Sequence, residues 1–349
     1  MQTYTDLPLI PTQVIGSHGV PGWMWILREA VAAAKMGPAD IDEALKDAVN
    51  LAIMDMEEAG IDIISDGEMQ RADFTWNFHE KVHGLEPLEF PRKLGYPGPD
   101  QLDAFRCVAP LTVPNGYGIV AEFAYARTRT RKPLISTMQS PVTQAFRIHP
   151  GTVYKDKREV AWALVPFIQK ELKNVVGAGC RHIQFDEPAY WTVPGGVEEM
   201  VRIFNACVEG VNATIGFHLC FGNFRGRPAT SHRSFAALAP HFKNLHADVI
   251  HIEFANRSMA EIELWERYGG DKVLCAGVID VKGRSVEPVE VVADRIRIAL
   301  RHCAPEKLWV APDCGFSQTL RWLSVEKMKV MVLAAKTVRE GLASGSLRR

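Results

Sequence analysis

CRHIQFDEPAYWTVPGGVEEMVRIFNACVEGVNATIGFHLC, residues 180–220, reads as strand, helix, strand. His182-Ile183-Gln184-Phe185-Asp186 is a short apolar run between Gly179 and Pro188, which is how a strand buried on both faces reads. Thr214 to Cys220 has the same character. Between them, Val197 to Val211 spaces its apolar residues as one face of a helix. Strands joined through a helix run parallel, because a tight turn can only reverse the chain.

The alternation continues on both sides of that unit. Upstream, Lys155 to Ala178 predicts a helix stopped by Gly179. Downstream come a helix over Ser231 to Leu245, a strand over Asp248 to Glu253 and a helix over Met259 to Tyr268. A strand over Lys272 to Ile279, a helix over Pro288 to Cys303, a strand over Lys307 to Ala311 and a helix over Ser324 to Glu340 follow. The first half adds three strand candidates, Gln13 to Gly16, Asp62 to Ser65 and Leu134 to Met138. Eight strands of this kind predict an α/β fold, a (β/α)8 TIM barrel, with residues 1–349 as a single catalytic domain. No GxGxxG follows an early strand, which argues against a doubly wound dinucleotide fold. Residues 67–132 are rich in Pro, Gly and aromatics and too long for a plain loop. They predict an insertion after the second strand, hairpin-like, lying over one barrel end.

Composition narrows the function. Apolar residues are 47% and charged residues 23%, and 40 basic side chains against 41 acidic leave a net charge of -1. That balance excludes the basic surface expected of a nucleic-acid binder. The run Arg127 to Lys132 reads as a solvated loop. No apolar run reaches the ~20 residues of a membrane span. Met1 to Pro11 lacks the basic and apolar regions of a signal peptide. Seven scattered cysteines argue against a disulfide framework and for a reducing, cytoplasmic setting.

Chemistry in a barrel sits at the C-terminal ends of the strands. Here those ends carry Ser17, Asp66 and Glu68, Ser140 to Thr143, Asp186 and Glu187, His218 and Cys220, Glu253, Asp280 and Lys282, and Asp313 and Cys314. Any one of these is explained as a cap or turn residue, but their gathering on one face is not. The sharpest subset is His218, Cys220, Glu253 and Cys314. Residues i and i+2 of a strand point the same way, so His218 and Cys220 converge, with Glu253 on the next strand. Imidazole and thiolate ligands favour Zn²⁺. The use for such an ion is to hold a thiol as its nucleophilic thiolate. Cys107, Cys180, Cys207, Cys275 and Cys303 read as small buried apolar residues.

Seven segments in order carry a resemblance. They are Ile15-Gly16-Ser17, Asp66-Gly67-Glu68, Gln184-Phe185-Asp186-Glu187-Pro188-Ala189, His218-Leu219-Cys220, Ile250-His251-Ile252-Glu253, Gly277-Val278-Ile279-Asp280 and Trp309-Val310-Ala311-Pro312-Asp313-Cys314-Gly315. Together they resemble the catalytic C-terminal half of cobalamin-independent methionine synthase, as a short single-barrel relative. The resemblance implies zinc on His218, Cys220, Glu253 and Cys314. It implies that Ile15, Ser17, Glu68 and Asp186 hold the amino acid part of homocysteine, with Glu68 and Asp186 among the catalytic residues.

Two positions depart from the family. Arg147 stands near the Trp on which the family stacks its folate, a few residues after Pro141-Val142-Thr143. Lys282 stands where the family has a proton-donating His, and is the candidate acid here. With an ordinary pKa near ~10.4, it serves as an acid near neutrality only if burial lowers it. The reading is therefore a zinc-dependent thiol alkyltransferase methylating homocysteine, with the donor open between methyltetrahydrofolate and others, a methylcorrinoid or a methylated small molecule among them. The alternative is addition of coenzyme M to an epoxide, as in epoxyalkane:coenzyme M transferase. Arg147, Arg71, Lys282 and Arg284 are candidates for an anionic group, though a surface salt bridge is the better guess for each. Expected partners are a small-molecule thiol and an alkyl donor, with a second copy of the chain or a corrinoid protein also open.

Overall fold

The computed structural model describes residues 7–71, 76–89, 103–190, 192–222, 234–317 and 319–345. Two helices come first, α1 (Gly22–Ala32) and α2 (Pro38–Glu58), then the short α3 (Trp76–His79). Strands β1 (His83–Pro87) and β2 (Phe105–Thr112) are followed by α4 (Ile119–Arg129), β3 (Ser136–Gln139), α5 (Pro141–Phe146) and β4 (Ile148–His149). The rest alternates as α6 (Lys157–Gly177), β5 (His182–Asp186), α7 (Gly196–Val208), β6 (Thr214–Leu219) and β7 (Val249–Ile252). It ends with α8 (Leu264–Tyr268), β8 (Val273–Ile279), α9 (Val289–Leu300), β9 (Leu308–Pro312) and α10 (Arg321–Ala343).

Six strands form one parallel sheet in the order β3-β5-β6-β7-β8-β9. Its strands are buried almost throughout. Helices make this possible by covering the sheet: α6 packs on α7, and α9 on α10 and β8. Each helix starts and stops for local reasons. Asp156 caps α6 by accepting from the N–H groups of Arg158 and Glu159. Just past its end Gly179 takes φ +105°, a left-handed turn that a side chain would resist.

Beyond the sheet, three single parallel bridges join Thr12 to Val310, Gln13 to Ile63, and Ile64 to Leu134. The expected strands at Gln13 to Gly16 and Asp62 to Ser65 are thus reduced to isolated pairings. A side-chain clamp takes part of the ladder's role: the Asp62 carboxylate accepts from the N–H and Oγ1 of Thr12, whose Oγ1 accepts from the Asp62 N–H.

Two expected helices are also corrected. Ser231 to Leu245 begins outside the described residues, and its described part holds only a 3-10 turn over Ala239–Asn244. Pro240 in its first turn has no N–H to extend an α-helix back through it. The expected helix from Met259 begins only at Leu264, because Ser258, Met259 and Glu261 all take positive φ. In the stretch 67–132, β1 and β2 pair antiparallel, β2 pairs parallel with β4, and α4 adds a helix that the sequence reading did not include. Helices α1 and α2 lie between the first two strand candidates, beyond the elements the apolar pattern predicts. Among the described residues no helix is long and apolar enough to cross a membrane.

Candidate metal centre

Strand β6 carries His218 near its end and Cys220 follows directly after it, and the turn after β9 brings in Cys314. A ligand nitrogen of His218 and the two sulfurs lie within 4.8 Å of one another. The sulfurs are 3.6 Å apart, and Cys220 Sγ also accepts from the Gly222 N–H. The Cys220 thiol is pushed well above its usual pKa, first by its bond to Cys314 and then by burial. Two thiolates so close repel one another, so ionising both calls for a cation between them.

The imidazole points the same way. His218 is buried, yet its Nε2 has no hydrogen-bond partner among the described residues. A buried ring nitrogen without a partner, beside two sulfurs, is the donor set of a tetrahedral metal site with room for more ligands. The residues therefore fit a soft divalent ion such as zinc.

Glu253, expected as the fourth ligand, lies outside that close group. It follows β7, fully buried. Its Oε2 accepts from the Phe221 N–H and lies 2.9 Å from Lys282 Nζ, while Oε1 has no partner among the described residues. Lys282 is correspondingly sealed, with its side chain 3% exposed. Burial pulls its pKa down, but Glu253 foremost, then Cys314, Asp313 and Cys220, outweigh burial and hold it above the usual lysine value. The lowered pKa that acid chemistry would need is not what this environment produces.

A second group of buried acids lies alongside. Asp186 ends β5, and its Oδ1 accepts from Gln184 Nε2, which also donates to the Ile15 carbonyl. The Asp186 carboxyl is held well above its usual pKa by burial first, and then by the charges of Glu68 and Cys314. Glu68 sits at φ +54°, and its N–H bonds to Asp66 Oδ1. Its Oε1 accepts from Thr137 Oγ1 at 2.6 Å and lies 3.1 Å from Arg71. Gly16 permits this approach: a Cβ there would stand 2.5 Å from Glu68 Oε1. Ser17 Oγ and carbonyl accept from the Ser317 and Phe316 N–H groups. Arg147 closes α5, its guanidinium over the Phe146 ring and its carbonyl accepting from the Ala104 and Phe105 N–H groups.

Some important residues were missed or misjudged in the sequence. Arg71, guessed to be in a surface salt bridge, is buried between Glu122 and Glu68 and bonds Thr137 twice. Asp313 accepts three backbone N–H bonds, from Phe254, Ala255 and Asn256, tying the segment after Glu253 to the one before Cys314. His251 touches His218. The signal for it was present: His218-x-Cys220 and His251-x-Glu253 repeat one spacing on neighbouring strands, and the register pairs His218 with His251.

A parallel α/β sheet whose strand ends gather one imidazole, two thiols and a set of buried carboxylates defines a protein able to hold a metal ion beside an anionic pocket. Residues 10–337 match the family described as "Cobalamin-independent synthase, Catalytic domain", and the chain belongs to that family. A protein named methionine synthase from Saccharolobus solfataricus is 35% identical over 345 residues, covering 97% of both chains. Another so named, from Sulfurisphaera tokodaii, is 32% identical over 344 residues, 97% of this chain and 95% of that one. The solved structure of a B12-independent methionine synthase from Shewanella sp. W3-18-1, in complex with selenomethionine, superposes with a TM-score of 0.82. It is 25% identical over 97% of this chain and all of the other.

Proposed function

We propose that this protein is a methionine synthase, which methylates the thiol of homocysteine. The observation that carries this reading is the meeting of His218, Cys220 and Cys314 within 4.8 Å, in a chain matched over 97% of its length by a protein of that name. Zinc is the ion this donor set suits, and when bound it would hold a thiol in its ionised, nucleophilic form.

The chain's own residues do the rest. His218, Cys220 and Cys314 would hold the ion, and Glu253, whose Oε1 has no partner among the described residues, would be the fourth ligand. Lys282, 2.9 Å from Glu253 Oε2, balances the charge of that buried carboxylate. Asp186 and Glu68 take the substrate ammonium, which explains two buried acids lying close enough to raise a pKa. Ser17 and the backbone at Ile15 face the substrate carboxylate. Arg147 lies on the donor side. The sulfur then attacks the methyl carbon in line: the S–C bond forms as the bond from methyl to donor breaks, and the thiol proton leaves to solvent. Alignment of the two reactants supplies much of the acceleration. With Arg147 in place of a stacking Trp and Lys282 paired to a carboxylate, the donor is one other than methyltetrahydrofolate.

The architecture suits this. The single bridges at Thr12, Gln13 and Ile64 lie between β9 and β3, which supports a closed (β/α)8 barrel. Arg71, held by Glu122 within the stretch 67–132, bonds the Oγ1 and carbonyl of Thr137 on β3, which supports one domain with that stretch over the strand ends.

The test is product analysis of zinc-loaded protein given homocysteine with methylcobalamin or methyltetrahydrofolate. Methionine from homocysteine is expected, with methylcobalamin the better donor. No methionine from either donor, together with a thioether from coenzyme M and an epoxide, would replace this reading with the alternative one.

A further inference from the structure

We propose that His251 is a positioning residue that fixes the tautomer of His218, so that the nitrogen aimed at the two thiols always carries a lone pair. His251 Nε2 lies 2.8 Å from the carbonyl oxygen of Pro312, which can only accept. That nitrogen therefore carries the hydrogen. Both rings are buried, at 1–2% exposure, where an imidazolium is disfavoured, so His251 is neutral and its Nδ1 is a lone pair.

His218 Nδ1 faces that lone pair at 2.5 Å. Two lone pairs cannot face one another so closely, so His218 Nδ1 carries a hydrogen and donates it. A neutral imidazole has only one N–H, which leaves Nε2 bare. Nε2 is the atom of this ring that has no hydrogen-bond partner among the described residues. The relay thus runs from His218 to His251 to Pro312, and Pro312 lies two residues before Cys314. Its anchor ends β9 and the sulfur ligand lies in the turn that follows, so the ring is oriented against the sulfur it must meet.

Metal-bound histidines are commonly oriented by a carboxylate or carbonyl on the other nitrogen. Here a second histidine, from the neighbouring strand, stands between ligand and carbonyl. It transmits orientation without adding negative charge to a pocket that already holds Glu253, Asp313 and two cysteines.

This inference rests on the zinc reading, and its test separates the two. Nitrogen NMR of the metal-free, histidine-labelled protein reads the tautomer directly: His218 is expected to be protonated at Nδ1 and bare at Nε2. A proton on His218 Nε2 overturns the proposal, whether or not the chain binds zinc. Zinc affinity is then measured by chelator competition. His251→Phe keeps the ring volume but removes the acceptor, and its affinity is expected to fall about 10–100-fold. His251→Asn, which puts an amide oxygen near the lost Nδ1, is expected to recover most of that loss. Unchanged affinity in folded His251→Phe, or no recovery in folded His251→Asn, overturns the relay. Failure of the unaltered chain to take up zinc would instead sink the metal reading, leaving the tautomer measurement to decide the relay.

Discussion

Replacing Arg71 by Met should destabilise the protein strongly. Arg71 is 5% exposed, and its guanidinium donates through Nε and Nη2 to Glu122 Oε2, at 3.0 and 2.7 Å. It also bonds Thr137 Oγ1 and carbonyl, each at 3.0 Å, and lies 3.1 Å from Glu68. Met keeps much of the volume but leaves two buried carboxylates without their cation. Breaking a buried pair from one side costs about 3–5 kcal/mol. At a urea slope near ~3 kcal/mol per M, the unfolding midpoint should fall by about 1 M or more.

The loss should depend on pH, with a definite sign. Burial is the largest influence on both Glu68 and Glu122 and holds their folded pKa values above normal even with Arg71 present. Without Arg71 they rise further. For an acid whose folded pKa exceeds its unfolded one, stability is kept below the unfolded value and lost as pH climbs through the folded value. The gap between Arg71→Met and the unaltered protein should therefore be widest near about pH 8 and shrink towards about pH 5. Urea titrations at the two pH values measure it. A loss below ~1 kcal/mol, or one equal at both pH values, would refute the reasoning that Arg71 compensates buried charge.

Cys314→Ser should lose most of the bound zinc, since a hydroxyl is a far poorer ligand than a thiolate; elemental analysis at full metal content would count against the site. In Lys282→Met, Glu253 stands buried without its cation, so the metal-free protein should be destabilised by about 3–5 kcal/mol. Zinc should then raise its melting temperature more than that of the unaltered chain, and an equal rise would argue against the pairing. Burial pushes Glu187 up to about 7 despite its bonds to Ser140, Thr143 and the Ala189 N–H. Raised above its unfolded value, it should drain stability as pH climbs from about 4.5 past 7, by ~3 kcal/mol in all. Glu187→Gln should flatten that part of the stability curve, and an unaltered slope would show that another group is responsible.

The sequence alone determined the repeating unit and singled out His218, Cys220 and Cys314, the three side chains that the fold gathers within 4.8 Å. Buried parallel strands are apolar throughout, so residues 182–186 and 214–219 announce themselves in any context. The i, i+2 rule put His218 beside Cys220 before any coordinate was known. Helix starts were less legible: a proline at 240 and three positive-φ residues at 258, 259 and 261 broke apolar patterns that looked continuous. Only the tertiary structure decided the partners of charged groups, because those choices are made across large sequence separations. Arg71 looked like any surface arginine until Glu122 and Thr137 closed over it. Lys282 looked like an acid until Glu253 was found beside it. His251 acquired meaning only when the register set it against His218. Local apolar pattern follows from backbone geometry and can be read along the chain. Charge pairing and tautomer follow from burial and from what lies opposite, and those exist only once the chain has folded.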